Sequence, residues 1–230
     1  MFLHNGTYWI VFIVFMILSW GVSARLKSKH RKYSKIPIAS GLTGKDVAEK
    51  MLRDNGINDV TVHSVAGELT DHYNPAKKTI NLSRDVYSGA TVAAAAVAAH
   101  ETGHALQHAQ SYAWLNMRSK LAPVVGFASN WIQWVLIAGL VLLNSRPEIL
   151  LVGIVLFAIT TLFSFITLPV EINASKRAMA WLDNSGITYS GTHDMAEDAL
   201  RWAAYTYVIA ALGSLATLIY YIMLFLGARD

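Results

Sequence analysis

Residues 88–109 read SGATVAAAAVAAHETGHALQHA, and the reading of that stretch decides the rest. It contains no proline, carries apolar residues on every side and runs through alanines at 93–96, which predicts a helix buried by its neighbours. Its unbroken apolar part, 92–99, is too short and too rich in alanine to cross a bilayer, which takes roughly 20 apolar residues of helix. Toward the end of the stretch stand His100, Glu101 and His104. Residues four apart share a helical face, so both histidines can aim an imidazole nitrogen at one ion, with Glu101 beside them. Zinc takes imidazole readily, and a catalytic zinc needs three protein ligands with a fourth position left for water. Glu101 is then the general base that takes the proton of that water. A five-residue match with three fixed letters arises by chance in only about 1% of chains of this length. Read instead as two histidines satisfied by hydrogen bonds, the stretch leaves an ionisable glutamate in an alanine-rich interior without a purpose.

Outward from this stretch, composition sets the surroundings. The chain of 230 residues is 54% hydrophobic and only 15% charged, unlike an ordinary soluble domain. It contains no cysteine, which excludes disulfides and thiolate zinc sites. Four apolar stretches, at about 7–24, 121–143, 149–170 and 203–226, have the length of membrane spans. The first is expected to be a retained anchor rather than a cleaved signal, because no Lys or Arg precedes it and a dense basic run follows. Arg25, Lys27, Lys29, Arg31, Lys32 and Lys35 follow it, Arg118 and Lys120 precede the second span, and Lys176, Arg177 and Arg201 lie between the third and fourth. The opposite side has only Arg146 and Arg229. The positive-inside rule therefore predicts an outward N-terminus, with residues 25–120 and those after 170 in the cytoplasm. The basic run reads as a solvated linker or a patch touching anionic lipid, and nucleic acid is not an expected partner.

Within the first cytoplasmic segment, Thr43-Gly44-Lys45-Asp46 has the form of a capping box, and the helix it opens should stop at Asn55-Gly56. Residues 59–65 and 69–73 are rich in branched and aromatic side chains, and Asn74-Pro75 turns the chain toward a further strand at 79–82. A short sheet is expected there.

A histidine pair needs a third partner. His108 lies one turn beyond His104, but at 1.5 Å rise per residue it stands about 12 Å along the axis from His100, too far for two zinc bonds of about 2 Å each. Gln107 and Gln110 occupy the places where the metzincin pattern wants glycine and histidine. Glu171 is the better candidate. It follows Leu168-Pro169 at the expected cytoplasmic end of the third span, and a hairpin of two spans leaves the histidine helix and returns to the same side. The competing reading makes Glu171 a helix-initiating carboxylate.

These residues resemble the YugP-type neutral zinc metallopeptidases of bacterial membranes over nearly the full length. The resemblance rests on Leu69-Thr70-Asp71-His72-Tyr73, Lys78-Thr79-Ile80-Asn81-Leu82-Ser83, the ten residues from Ala98 to Gln107, and Leu168-Pro169-Val170-Glu171. It implies a membrane-embedded gluzincin with one zinc ion, His100, His104 and Glu171 as ligands and Glu101 as base. A more distant likeness is to the HtpX membrane protease, where the ligand glutamate precedes an Ala-Asp pair. Ser175 stands here in place of that aspartate, and a serine hydroxyl orients a histidine more weakly.

The expected protein is thus predominantly α, with four transmembrane helices and a small cytoplasmic α+β metalloprotease element. Along the chain it divides into an anchor and basic linker at 1–35, a zinc-binding protease domain at 36–120 and a transmembrane hairpin at 121–170. A cytoplasmic segment with the third ligand at 171–202 and a last span at 203–230 complete it. The expected activity is endoproteolysis at the cytoplasmic membrane face, acting on a protein or peptide partner associated with the bilayer. The strand at 79–82 is the expected edge along which such a peptide pairs. His193, Arg201, Tyr205 and Tyr207 lie on the right side to stabilise an oxyanion, but their spacing selects none. The main alternative is a catalytically silent scaffold stabilised by zinc, although structural zinc sites are usually closed by four protein ligands. A transporter fits less well, because the spans hold almost no ionisable residues.

Overall fold

The computed structural model describes residues 2–227, so Arg229 lies outside the described residues. Seven helices and three strands follow in the order α1 (Phe2–Tyr33), α2 (Gly44–Asp54), β1 (Thr61–Val65), β2 (His72–Asn74), β3 (Thr79–Ser83), α3 (Arg84–Ser88), α4 (Val92–Ala109), α5 (Ala113–Val141), α6 (Pro147–Asn184) and α7 (Ser190–Gly227). The chain forms two units. One contains residues 22–115 and 169–205; the other contains 116–168 with both terminal segments.

The first unit grows from local rules. Thr43 caps α2 through the expected box: its hydroxyl accepts from the Asp46 N–H at 3.2 Å, and the Asp46 carboxylate accepts from the Thr43 N–H at 2.9 Å. Val47, Ala48, Met51 and Leu52 form the buried stripe of that helix and share one core with α4, Ile80, Leu82 and Val86. The alanine run of α4 suits this position, because methyl side chains let several elements approach one helix at once. Thr91 caps α4, accepting from the Ala94 N–H at 3.3 Å, so the helix begins at Val92 rather than near Ser88, and residues 84–88 form the separate turn α3.

The strand order is β1-β3-β2. β1 pairs with β3 in parallel, Val62 opposite Ile80, and β2 pairs antiparallel, Tyr73 opposite Ile80. The expectation that residues 79–82 form an edge is therefore wrong. β3 is the central strand, and its buried Ile80 and Leu82 mark it as the one with neighbours on both sides. The short length of β2 also has a local cause: Asp71 leaves the ladder to accept from the Ser83 N–H at 2.7 Å and from its hydroxyl at 3.1 Å. This bond ties two of the runs quoted above together.

The second unit is inside out. Phe127, Trp134, Val141, Val152 and Leu162 are exposed, and its helix segments pack through small residues. Gly139 lies so close to Leu150 that a Cβ there would come within 2.5 Å of its backbone, and a Cβ on Gly153 would meet Leu136 at 2.7 Å. Small residues at such contacts are how helices associate in lipid. Among the described residues, four helices are long and apolar enough to cross a membrane, and with the exposed apolar surface they make this an integral membrane protein. The helix does not stop at Pro169: α6 runs unbroken through it, so Glu171 is a mid-helix residue and not a helix-initiating one. A proline removes one backbone hydrogen bond, but apolar surroundings penalise every alternative to the helix more.

Loss of the Thr43 hydroxyl in Thr43→Ala should cost about 1 kcal/mol, read as a lower thermal unfolding midpoint in detergent at neutral pH. The hydrogen bonds from Thr43 hold the Asp46 carboxyl below its usual range. Its contribution is therefore present above the ordinary carboxylate range and fades as pH falls through the depressed value, so the midpoints of wild type and variant should converge in acid.

Candidate metal centre

Three side chains from two helices meet at one point. His100 and His104 come from α4 and Glu171 from α6, with ligand atoms all within 4.8 Å of one another. Glu171 Oε2 lies 3.2 Å from His100 Nε2 and 3.5 Å from His104 Nε2. Glu171 and His104 are buried, and His100 is partly so.

The close crossing of α4 over α6 makes this possible. A Cβ on Gly103 would lie 2.6 Å from the Ala174 carbonyl oxygen, so only a glycine lets the two backbones approach this closely. Gly103 sits between the histidines in sequence, and Ala174 lies three residues past Glu171, about one helical turn.

Both Nδ1 atoms face away from the carboxylate and toward neutral groups: His100 Nδ1 is 3.1 Å from Ser175 Oγ, and His104 Nδ1 is 3.0 Å from Gln107 Oε1. The Gln107 amide cannot be turned around. Its nitrogen donates to the Val170 carbonyl at 2.8 Å and to Asn173 Oδ1 at 3.0 Å, and a backbone carbonyl accepts only. The oxygen therefore faces His104 and Nδ1 carries a proton, which leaves Nε2, facing Glu171, as the nitrogen able to ligate. Gln107 is fully buried, at 0% exposure, so a misdirected amide would leave polar groups unsatisfied. Two imidazole lone pairs and a carboxylate converging on one point fit a zinc ion, with one coordination position left open.

Glu101 points beside this group, and its Oε2 accepts from the Tyr73 N–H of β2 at 2.9 Å. The Tyr73 side chain does separate work. Burial pushes its phenol up to about 12, and the protonated hydroxyl shares a hydrogen bond of 2.8 Å with His108 Nδ1. His108 thus pairs with Tyr73. Of the four candidates for the oxyanion, His193 Nδ1 lies 3.1 Å from Thr188 Oγ1, Arg201 pairs with Glu197 at 3.3 Å and Tyr205 rests edge-on against Trp202. None of these contacts is with the histidine pair.

The sequence reading missed the tasks of Gly103, Gln107 and Tyr73. A signal existed for Gln107, which lies three residues after His104 and so on its helical face. The Tyr73 N–H carries no signal in a single sequence, because any residue except proline supplies one.

A membrane protein whose buried two-histidine, one-carboxylate cluster fits zinc belongs to the broad class of membrane metalloproteins. Comparison with known proteins narrows this. A family model described as "Putative neutral zinc metallopeptidase" matches residues 8–226, and the chain belongs to that family. It is similar to the "Putative membrane protease YugP" of Bacillus subtilis (strain 168), 42% identical over 213 residues that cover 93% of this chain and 94% of that protein. No solved structure matches the chain.

Adding a methyl group in Gly103→Ala should force α4 and α6 apart at a cost of about 1–3 kcal/mol, with a lower unfolding midpoint and less zinc retained. Gly126→Ala, where a Cβ meets nothing within 4 Å, should do neither. Gln107→Leu, which abolishes the acceptor of His104, should weaken zinc retention about 10–100-fold in chelator competition.

Proposed function

We propose that the protein is a zinc-dependent endopeptidase of the gluzincin type, with His100, His104 and Glu171 as ligands and Glu101 as general base, working at the cytoplasmic face of the membrane. The observation that carries this reading is the asymmetric hydrogen bonding of the site. Each histidine has its Nδ1 at a neutral acceptor and its Nε2 toward Glu171, while Glu101 is held apart by a backbone N–H.

When bound, zinc supplies Lewis acidity that polarises the scissile carbonyl and makes water a nucleophile near neutral pH. The chain's own groups do the rest. The Tyr73 N–H occupies Oε2 of Glu101, which leaves Oε1 to take the proton of the attacking water and return it to the leaving amine. The bond also fixes the carboxylate's direction, so no rotamer search precedes proton transfer.

Tyr73 also supports a position for the substrate. In an extended residue the N–H and C=O point to the same side, and this N–H goes to Glu101 rather than to β3. The free edge of β2 therefore faces Glu101, with the Tyr73 carbonyl on that side to accept from an extended peptide. The membrane placement is supported by α6, where Glu171 lies about 36 Å along the helix from Pro147 at 1.5 Å per residue, slightly more than the ~30 Å hydrocarbon core. The distribution of Lys and Arg supports the cytoplasmic face. Substrates then include membrane-anchored segments and their cytoplasmic tails.

Zinc content and casein cleavage of the purified full chain, compared with Glu101→Gln and Glu171→Ala, test the assignment. Glu101→Gln should keep zinc and lose activity by about 10²–10⁴-fold, the usual contribution of a positioned base, while Glu171→Ala should lose both zinc and activity. Retained zinc with undiminished cleavage in Glu101→Gln would leave the metal with a structural role only.

A further inference from the structure

The last turns of α1 have two faces with different partners. Arg25, Lys29 and Tyr33, spaced four apart, turn toward α7. Lys29 Nζ lies 2.7 Å from Asp198 Oδ2, Tyr33 donates to the same carboxylate at 2.6 Å, and the Arg25 guanidinium lies 5.8 Å from the centre of the Trp202 ring. The other face is made of Ala24, Lys27, Ser28, Arg31, Lys32 and Lys35, and these residues line an open groove of about 540 Å³. Asp198 is spent on the first face. Lys27, Arg31 and Lys35 have no acidic partner among the described residues, and Lys32 contacts only the Tyr33 ring, 5.7 Å away.

We propose that this groove seats the headgroup of an anionic phospholipid, in the leaflet that meets the C-terminal end of the first span. Three observations carry it. The first is charge: four cations crowd into nine residues without neutralisation on the protein, so an anion relieves their mutual repulsion. The second is shape, since small side chains at Ala24 and Ser28 alternate along this face with long basic ones, leaving room for a phosphate among several N–H donors. The third is depth. Ala24 ends the apolar stretch and Lys27 follows about 4.5 Å along the helix, inside a headgroup layer about 5–8 Å thick, while Arg31, about 10.5 Å along, stands just beyond it with a side chain long enough to reach back. In sequence, the apolar stretch at 7–24 leads directly into these residues, so a lipid whose headgroup sits here has apolar chain beside its acyl tails. A free phosphate would use the charge but not this continuity. The inference stands apart from the peptidase chemistry, since none of these residues contributes to the histidine cluster.

The test titrates the full-length protein, in micelles of neutral detergent, with short-chain phosphatidylglycerol, phosphatidylcholine and inorganic phosphate, following binding by thermophoresis. Phosphatidylglycerol should bind at least tenfold more tightly than phosphatidylcholine, and added salt should weaken it. Lys27→Gln/Arg31→Gln should lower that affinity about 25-fold, since each basic residue at a membrane surface is worth about fivefold. Lys77→Gln/Arg84→Gln removes the same charge elsewhere and should change affinity less than twofold. Unfolding midpoints equal to wild type show that both variants are folded. Equal affinity for the two lipids, or equal losses in the two double variants, would overturn the proposal. So would inorganic phosphate binding as tightly as phosphatidylglycerol, which would make the ligand a soluble anion.

Discussion

The approach of α4 to α6 is the constraint on which the site depends. A histidine pair four residues apart is easily made on any helix; what is costly is a carboxylate from elsewhere, held within bonding distance of the same point in a buried setting. The glycine at 103, against the backbone of Ala174, removes the one atom that would hold the helices apart. Gln107 then bridges the crossing, giving its oxygen to His104 and its amide protons to Val170 and Asn173. Arg177 continues the network, donating to Asn173 at 2.7 Å and to Gln110 at 2.6 Å. One side chain on α4 thus sets a histidine's tautomer and fastens the helix that carries Glu171.

The sheet plays a smaller part. Its three strands bury Ile80 and Leu82 against the alanine-rich helix, and β2 delivers one N–H to Glu101. The hydrogen bond from Ser83 to Asp71 fixes where β2 begins, so the position of that N–H follows from a turn some distance from the metal cluster. A carboxylate held by backbone is less easily displaced than one held by another side chain, which has rotamers of its own.

Periodicity and spacing made much of this legible in advance. The capping box at Thr43 and Asp46, the four apolar stretches and the facing of His100 and His104 are local properties, and local rules found them. Glu171 was found by a topological argument, because a hairpin of two spans had to return to the same side. The misjudged features depend on what lies beside an element rather than on the element itself. Residues 79–82 read equally well as an edge or a central strand until β1 is seen to pair with them in parallel. Leu168-Pro169 left open a competing reading in which Glu171 begins a helix, although α6 runs across it. Gln107 stood out only as a mismatch to another pattern, since its value lies in a carbonyl 63 residues away along the chain.

The acceptors behind the histidines bear on how such a site would be tuned. A carboxylate behind a ligand imidazole raises its basicity and strengthens its bond to the metal. Here both acceptors are neutral: a serine hydroxyl behind His100 and a glutamine amide behind His104. Glu171 and Glu101 are the carboxylates described at the cluster, and their two charges would balance a divalent ion held there. A third carboxylate at position 175 would add a charge to desolvate and would make the ligands better electron donors, which lowers the electrophilicity that peptide hydrolysis needs. In the proposed peptidase, neutral partners would exchange part of the metal affinity for that electrophilicity, and the close helix crossing at Gly103 with the Gln107 bridge would recover affinity through rigidity.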